Sequence, residues 1–541
     1  MSTSEKMSFR SVYLFDDTKT QESFSFNMLV KRTIITLLFI FLSSYPALSD
    51  VAMTSVFGDN MVLQREINIP VWGTADPGER ITVSIDDNEA KTTAGNDGHW
   101  LVKLDIMSAG GPFKMTVKGK NSITFTNVMV GEVWVCSGQS NMQWPIKNQK
   151  NVENDVASAN YPNIRFFTVD RVTKQTPQYE FSGKKPMWTV CTPETVVPFS
   201  AVAYFFGRQM HRELGIPVGL IHSSWGGSPA ESWTTRESLV TDPELDPILV
   251  RWIDIIEKYP YAKQQYDKEL AEWNKAKAEG KQVSSMPRPP LGPEHFHYPS
   301  CLYNAMISPL LPYGIGGVIW YQGESNAGRA FQYRKLFPTM IRDWRMAWKQ
   351  GDFPFLFVQL ANFRQTVPEP GDSDWAELRE AQLMTLSLPN TAMAVAIDIG
   401  EADNIHPQNK QEVGRRLALG AYKVAFNMDI VHSGPLYHSM YVGNGKIHLR
   451  FTETGSGLIA KGGNPLKGFA IAGKNRDFVW ADAKIEGNEV VVWSDEVPDP
   501  VAVRYAWANN PVCNLYNREG LPASPFRTDS WPGITNGAMK P

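Results

Sequence analysis

Three regimes of hydrophobic patterning follow one another along the chain. From Val51 to about Thr126, apolar and polar residues alternate in short runs such as Ile81-Thr82-Val83-Ser84-Ile85, broken by Asp76-Pro77-Gly78 and Asn96-Asp97-Gly98. A period of two with regular turns predicts half-buried strands and a small β-sandwich. From Val128 to about Asn427 the strands become continuous apolar runs: Val133 to Cys136, Val218 to His222, Val318 to Tyr321, Phe355 to Leu360 and Ala392 to Ile397. Helical stretches separate them, which predicts an α/β domain built on a mostly parallel sheet covered on both faces. From His432 onward alternation returns, in Val490-Val491-Val492-Trp493 and Val501-Ala502-Val503-Arg504-Tyr505. That predicts a second β-rich module, or the first one completed by the tail.

These shifts divide the chain into an N-terminal extension and leader at 1–49, a β-sandwich module at 50–126, an α/β domain at 127–430 and a C-terminal β-rich module at 431–541. Inside the α/β domain, a Lys/Glu-rich insertion at about 241–299 carries Trp252, Ile255, Ile256 and Trp273 at loosely helical spacing and ends in Pro287-Arg288-Pro289-Pro290. One or two surface helices and a loop are expected there, with a substrate lid as the alternative role.

The first 49 residues read as an address. After the internal Met28, the basic pair Lys31 and Arg32 precedes an apolar run from Ile34 to Leu42, and Ala47-Leu48-Ser49 places small residues where a signal peptidase reads. The run is shorter than the roughly 20 apolar residues a spanning helix needs. The expectation is an exported protein, periplasmic or secreted, without a membrane anchor.

Composition narrows the partners. Lys+Arg number 53 against 56 Asp+Glu in 541 residues, so no broad cationic field is available for phosphate backbones, and nucleic acid is excluded as an expected partner. The 17 Trp and 18 Tyr supply flat apolar faces of the kind that suit sugars, although most such rings fill cores. Cys136, Cys191, Cys301 and Cys513 are too few and too dispersed for a disulfide framework, though one or two bridges are compatible with their number. No Cys-x-x-Cys or His-Glu-x-x-His occurs, so no metal site is expected.

In open α/β sheets ligands bind beyond the carboxyl ends of the strands, and four of the five predicted strands end in polar motifs. The first runs into Ser137-Gly138-Gln139-Ser140-Asn141-Met142, with Ser140 as candidate nucleophile. Methionine at 142 departs from the Gly-x-Ser-x-Gly elbow of α/β-hydrolases. A serine hydroxyl needs a base within reach, itself oriented by a third group. Asp403-Asn404-Ile405-His406-Pro407 follows the last strand and offers both, with Asp403 orienting and His406 taking the proton. Asp429-Ile430-Val431-His432 repeats the spacing but lies past the helical stretch from Gln411 to Asn427, away from the carboxyl edge. Glu294-His295-Phe296-His297 is a weaker rival with a possible substrate contact.

Donors for a developing oxyanion are expected at two other strand ends. Trp225-Gly226-Gly227-Ser228 follows the second strand, where an uncrowded glycine N–H can approach a ligand. Gln322-Gly323-Glu324-Ser325-Asn326 follows the third and carries two neutral amides.

At these four blocks, Gly138 to Met142, Trp225 to Ser228, Trp320 to Asn326 and Asp403 to Pro407, the sequence resembles the SGNH hydrolases, most closely their sialate O-acetylesterase branch. The resemblance covers most of Val128 to Asn427. It implies a flavodoxin-like three-layer α/β sandwich, with Ser140, His406 and Asp403 as a catalytic triad. It also implies oxyanion donors from the Ser140 N–H, a glycine N–H (Gly227 ahead of Gly226) and an amide (Gln322 ahead of Asn326). Where the general pattern has Gly-x-Asn-Asp, this chain has Gly323-Glu324-Ser325-Asn326, which leaves the amide undecided. Gln139, Asn141, Trp225, Gly226 and Glu324 are expected to touch substrate or support the site.

The implied reaction is deacetylation of O-acetylated sugars, 9-O-acetylated sialic acid first, through an acyl-enzyme and without cofactor. Acetylxylan or another acetylated glycan is the alternative substrate, with Arg329 or Arg342 as the contact for a carboxylated sugar. Two other classes stay open: a glycosidase using Glu324 and Asp403 as paired carboxylates, and a noncatalytic glycan-binding protein.

Overall fold

The computed structural model describes residues 50–463 and 465–538; the leader expected at 1–49 lies outside the described residues. Seven strands build the central sheet: β1 (Ser122–Gly138), β2 (Tyr161–Thr168), β3 (Trp188–Cys191), β4 (Val218–Ser224), β5 (Gly317–Tyr321), β6 (Phe355–Gln359) and β7 (Thr391–Val395). Their spatial order is β3-β2-β4-β1-β5-β6-β7, parallel throughout except β3, which runs antiparallel to β2 at the edge. The five strands expected from the apolar runs are β4-β1-β5-β6-β7, an order of 2-1-3-4-5, and β2 and β3 extend the sheet past β4. In this order the chain reverses direction of travel across the sheet at β1/β5, the place beyond the carboxyl ends where open α/β sheets bind ligands.

All five residues of β5 and of β6 are buried, because helices close both faces of the sheet. Ala201–Leu214 and Lys410–Val424 pack on one face, and Ala330–Trp348 and Asp374–Met384 on the other.

Strand β1 shows how the two kinds of β-structure join. Its first six residues alternate between exposed and half-buried, and its last eleven are all buried. Up to Val130 it pairs antiparallel with Gly110–Lys118, and from Glu132 onward it pairs parallel with β4 and then β5. One strand therefore runs unbroken across residues 126 and 127. Val62–Gln64 also lies parallel to β1, while Ala52–Met53, Ile69–Thr74 and His99–Leu104 form a separate sheet over it.

The C-terminal region forms antiparallel sheets, Leu436–Gly443, Lys446–Thr452, Glu489–Trp493 and Asp482–Glu486 in one, and Phe478–Trp480, Phe469–Ala472, Ala502–Tyr505 and Phe526–Arg527 in another. They enclose a core of their own around Ile447, Ile471, Val490 and Val503. Arg379 joins this region to the sheet. Its fully buried guanidinium donates to the carbonyls of Leu360 and Ala361 after β6 and to those of Ala508 and Asn509.

The insertion is one long helix, Asp246–Ala278, with Pro260 inside it and only Ile248 and Trp252 buried, followed by an irregular return. The four cysteines are free thiols, so the structure contains none of the bridges their number permitted. Among the described residues, no helix is long and apolar enough to cross a membrane.

Candidate active site

The turn that carries Ser140 begins where Gly138, the last residue of β1, pairs with Tyr321 of β5. Gly138 has φ +132°, and a Cβ there would sit 2.2 Å from the Tyr321 carbonyl oxygen. Only glycine fits such a position without displacement. The Gln139 N–H donates to that same oxygen at 2.9 Å, and the chain then enters the short helix Ser140–Gln143. Ser140 is partly exposed at its start.

Gln139 is buried, and its Oε1 accepts from the Gly323 and Ser325 N–H groups, both at 3.3 Å. Asn141, also buried, donates from Nδ2 to the Ile405 carbonyl at 3.0 Å and to Glu324 Oε1 at 2.5 Å. Its Oδ1 accepts from Lys410 Nζ. Residues 264 positions apart, on either side of the predicted nucleophile and base, are thus hydrogen-bonded.

His406 is half-buried on the same rim, its ring stacked on Trp144. Burial lowers the imidazole pKa below its ordinary value, and the nearby Lys410 lowers it further. Asp403 sits differently from what the three-residue spacing suggested. It is exposed, and Oδ1 accepts from Gln365 Nε2 at 2.8 Å; no hydrogen bond joins it to the imidazole. Nor does one join the Ser140 hydroxyl to His406, a contact that in unliganded enzymes is often long.

The double glycine after β4 lies against Ser140. A Cβ at Gly226 would be 3.3 Å from Ser140 Cβ, and the Gly226 N–H is spent on Gln143 Oε1 at 2.6 Å. Gly227 has φ +79°, and a Cβ there would lie 3.8 Å from the Phe296 ring. Its carbonyl is held by Ser325 Oγ at 2.9 Å and His297 Nε2–H at 2.8 Å, while its N–H has no partner among the described residues. Of the two glycines, only Gly227 keeps a donor for a ligand.

The two amides after β5 are committed to protein groups. Gln322 Nε2 donates to Asn326 Oδ1 at 2.6 Å and to the Ser228 carbonyl at 3.3 Å, and Oε1 accepts from Tyr333. Asn326 Nδ2 donates to Glu231 Oε2 at 2.8 Å. Burial alone would raise the Glu231 carboxyl, but the Arg329 and Arg251 guanidiniums, at 2.9 and 3.0 Å, hold it below its usual range. Arg329 is therefore buried in this ion-pair cluster and Arg342 is exposed on the helix Ala330–Trp348. Glu324 faces Asn141, and burial raises its carboxyl pKa.

The insertion returns over the glycine loop. Phe296 lies parallel to Trp225, centroids 5.1 Å apart at 6°, and His295 stacks on its other side at 4.6 Å. Burial and then His297 push the His295 imidazole down to about 4. A second serine–histidine pair, His222 Nε2 and Ser224 Oγ at 2.6 Å, is buried inside β4, and burial lowers that imidazole to about 4. His432 stands apart, 3.7 Å from Glu453.

Three contributors escaped the sequence reading. Trp144 carries a signal in retrospect, being one helical turn after Ser140. Gln143 and Lys410 carry none, since either residue type is ordinarily a solvated helix residue.

Comparison with known proteins supplies the family. The family profile for carbohydrate esterase, sialic acid-specific acetylesterase, matches residues 130–423. The sialate O-acetylesterase of Mus musculus is 30% identical over 536 residues, covering 87% of this chain and 93% of its own. That of Homo sapiens is 30% identical over 535 residues, covering 90% and 94%. A crystal structure of a carbohydrate acetylesterase from Xanthomonas citri superposes with a TM-score of 0.76 at 38% identity, covering 89% of this chain and 100% of that one. The chain belongs to the carbohydrate esterase family of sialic acid-specific acetylesterases.

Proposed function

We propose that the chain removes acetyl groups from sugar hydroxyls by a serine acyl-enzyme mechanism, with O-acetylated sialic acid as first substrate. Ser140 Oγ attacks the acetyl carbonyl while His406 takes its proton; His406 returns a proton to the departing sugar oxygen. Water then attacks the acetyl-serine with the same base and releases acetate. The Ser140 and Gly227 N–H groups receive the oxyanion. Gln322 and Asn326 act beneath that hole, holding Ser228 and the Ala230–Glu231 turn. Asp403 is the carboxylate assigned to orient the imidazole in the substrate complex.

The observation carrying this reading is the Asn141–Ile405 hydrogen bond, which brings the neighbours of Ser140 and His406 together beside an uncommitted Gly227 N–H. The glycosidase alternative fares worse, because Glu324 is turned into Asn141 and Asp403 outward to Gln365. The relatives' names favour sialic acid over xylan. Acetate release from 9-O-acetylated sialic acid and from acetylated xylan, by parent and Ser140→Ala, tests both parts. The parent should prefer the former and the variant should lose essentially all turnover; an active variant refutes the mechanism. Export after Ser49 is checked by N-terminal sequencing of protein recovered outside the cytoplasm.

A further inference from the structure

Asn141 is tied into three loops at once, and its orientation is dictated by chemistry. Ammonium Nζ only donates, whereas the Ile405 carbonyl only accepts and Glu324 Oε1 accepts from this amide. With Lys410 on Oδ1 and the two oxygens on Nδ2, one amide orientation satisfies every contact, and its flip satisfies none. Asn141 is 1% exposed and Lys410 fully buried, so water does not supply these bonds.

A buried ammonium is an expensive way to fill space, since a lysine stem without its charge would pack as well. Lys410 opens the helix Lys410–Val424, four residues beyond His406, and its Nζ lies 5.2 Å from the centroid of the Tyr321 ring. Glu324 and, more weakly, Glu401 favour the charge; burial nevertheless lowers its pKa to about 7.

We propose that Lys410 and Glu324 are positioning residues for the esterase reaction: they fix the Asn141 amide, which sets the Ser140 turn against the His406 loop. The inference rests on the acyl-transfer reading above. Neither residue contacts the reacting atoms. Their effect runs through Asn141, bonded to the residue before His406 and adjacent in sequence to Ser140.

The test is kinetic, with thermal unfolding of each full-length variant as the check on folding. Lys410→Met is expected to lower kcat on a soluble acetyl ester by about 30- to 100-fold while KM moves by less than about twofold, the signature of misplaced catalytic groups. In an Asn141→Ala background the same substitution should change kcat no further at a pH above the His406 limb of every variant, because the positioning route is already cut and the imidazole is neutral throughout. Glu324→Gln, which keeps a neutral acceptor, should lose about tenfold and likewise nothing more in that background, and it carries the comparison if Lys410→Met does not fold. Parental kcat in the single variants, or losses that multiply in the Asn141→Ala background, would overturn the inference. Ser140→Ala separates the two layers. If it retains activity the acyl-transfer reading fails; if it is inactive while Lys410→Met is parental, only the positioning role fails.

Discussion

The indole of Trp144 lies face to face with the imidazole of His406, ring centroids 4.8 Å apart and planes 20° from parallel. Trp144 follows Ser140 by one helical turn, its N–H bonded to the Ser140 carbonyl at 2.9 Å. The element that presents the Ser140 hydroxyl thus also presents the surface on which the imidazole rests. This contact holds the ring while Asp403 is engaged by Gln365.

Trp144→Ala should therefore lower kcat on a soluble acetyl ester by about 3- to 10-fold, the value of one aromatic stack. Asp403→Asn, measured alongside, divides the work of orientation. A loss of about a thousandfold or more identifies Asp403 as the orienting carboxylate in the substrate complex, whereas a loss under about tenfold leaves that task to the stack.

The pH profile follows from the state of His406. A general base must be neutral, so kcat/KM falls as pH drops through its pKa. Burial, reinforced by Lys410, depresses that pKa, which puts the acid limb below the roughly 6.5 of a free imidazole. Lys410→Met removes the neighbouring cation and should shift the limb upward. A limb at or above 6.5 in the parent would contradict the assignment of His406.

Phe296 provides a probe of sugar recognition, since it stands between Trp225 and His295 beside the glycine loop. Phe296→Ala should raise KM for an acetylated sugar by about five- to tenfold yet leave 4-nitrophenyl acetate within about twofold. Equal effects on both esters would place Phe296 in the support of Gly227 instead.

Gly138→Ala tests the junction of β1 and β5. The added Cβ meets the Tyr321 carbonyl in a left-handed backbone, and a loss of about 2–4 kcal/mol is expected in urea unfolding. Activity should fall with it, because Gln139 and Ser140 follow directly.

The amino-acid order alone determined the five central strands and what stands at their ends. Continuous runs such as Val318 to Tyr321 have one stable use in a chain of this length, a strand covered on both faces, and the polar residues after them then fall on one edge. Ser140, His406 and the Gly226-Gly227 pair were legible for that reason. Which donor each group spends, and on whom, was decided only by the tertiary structure. Gly226 and Gly227 are indistinguishable in sequence, yet Gln143 consumes one N–H and leaves the other. Gln322 and Asn326 read as free amides until Ser228 and Glu231, about a hundred positions earlier, arrive to occupy them. Asp403 has the spacing of an orienting carboxylate but is claimed by Gln365 from another loop. Lys410 looks like any solvated helix residue before Asn141 and Glu324 close over it. Burial periodicity is a property of neighbours along the chain, whereas hydrogen-bond partnership is a competition among groups that only folding brings within 3 Å of one another.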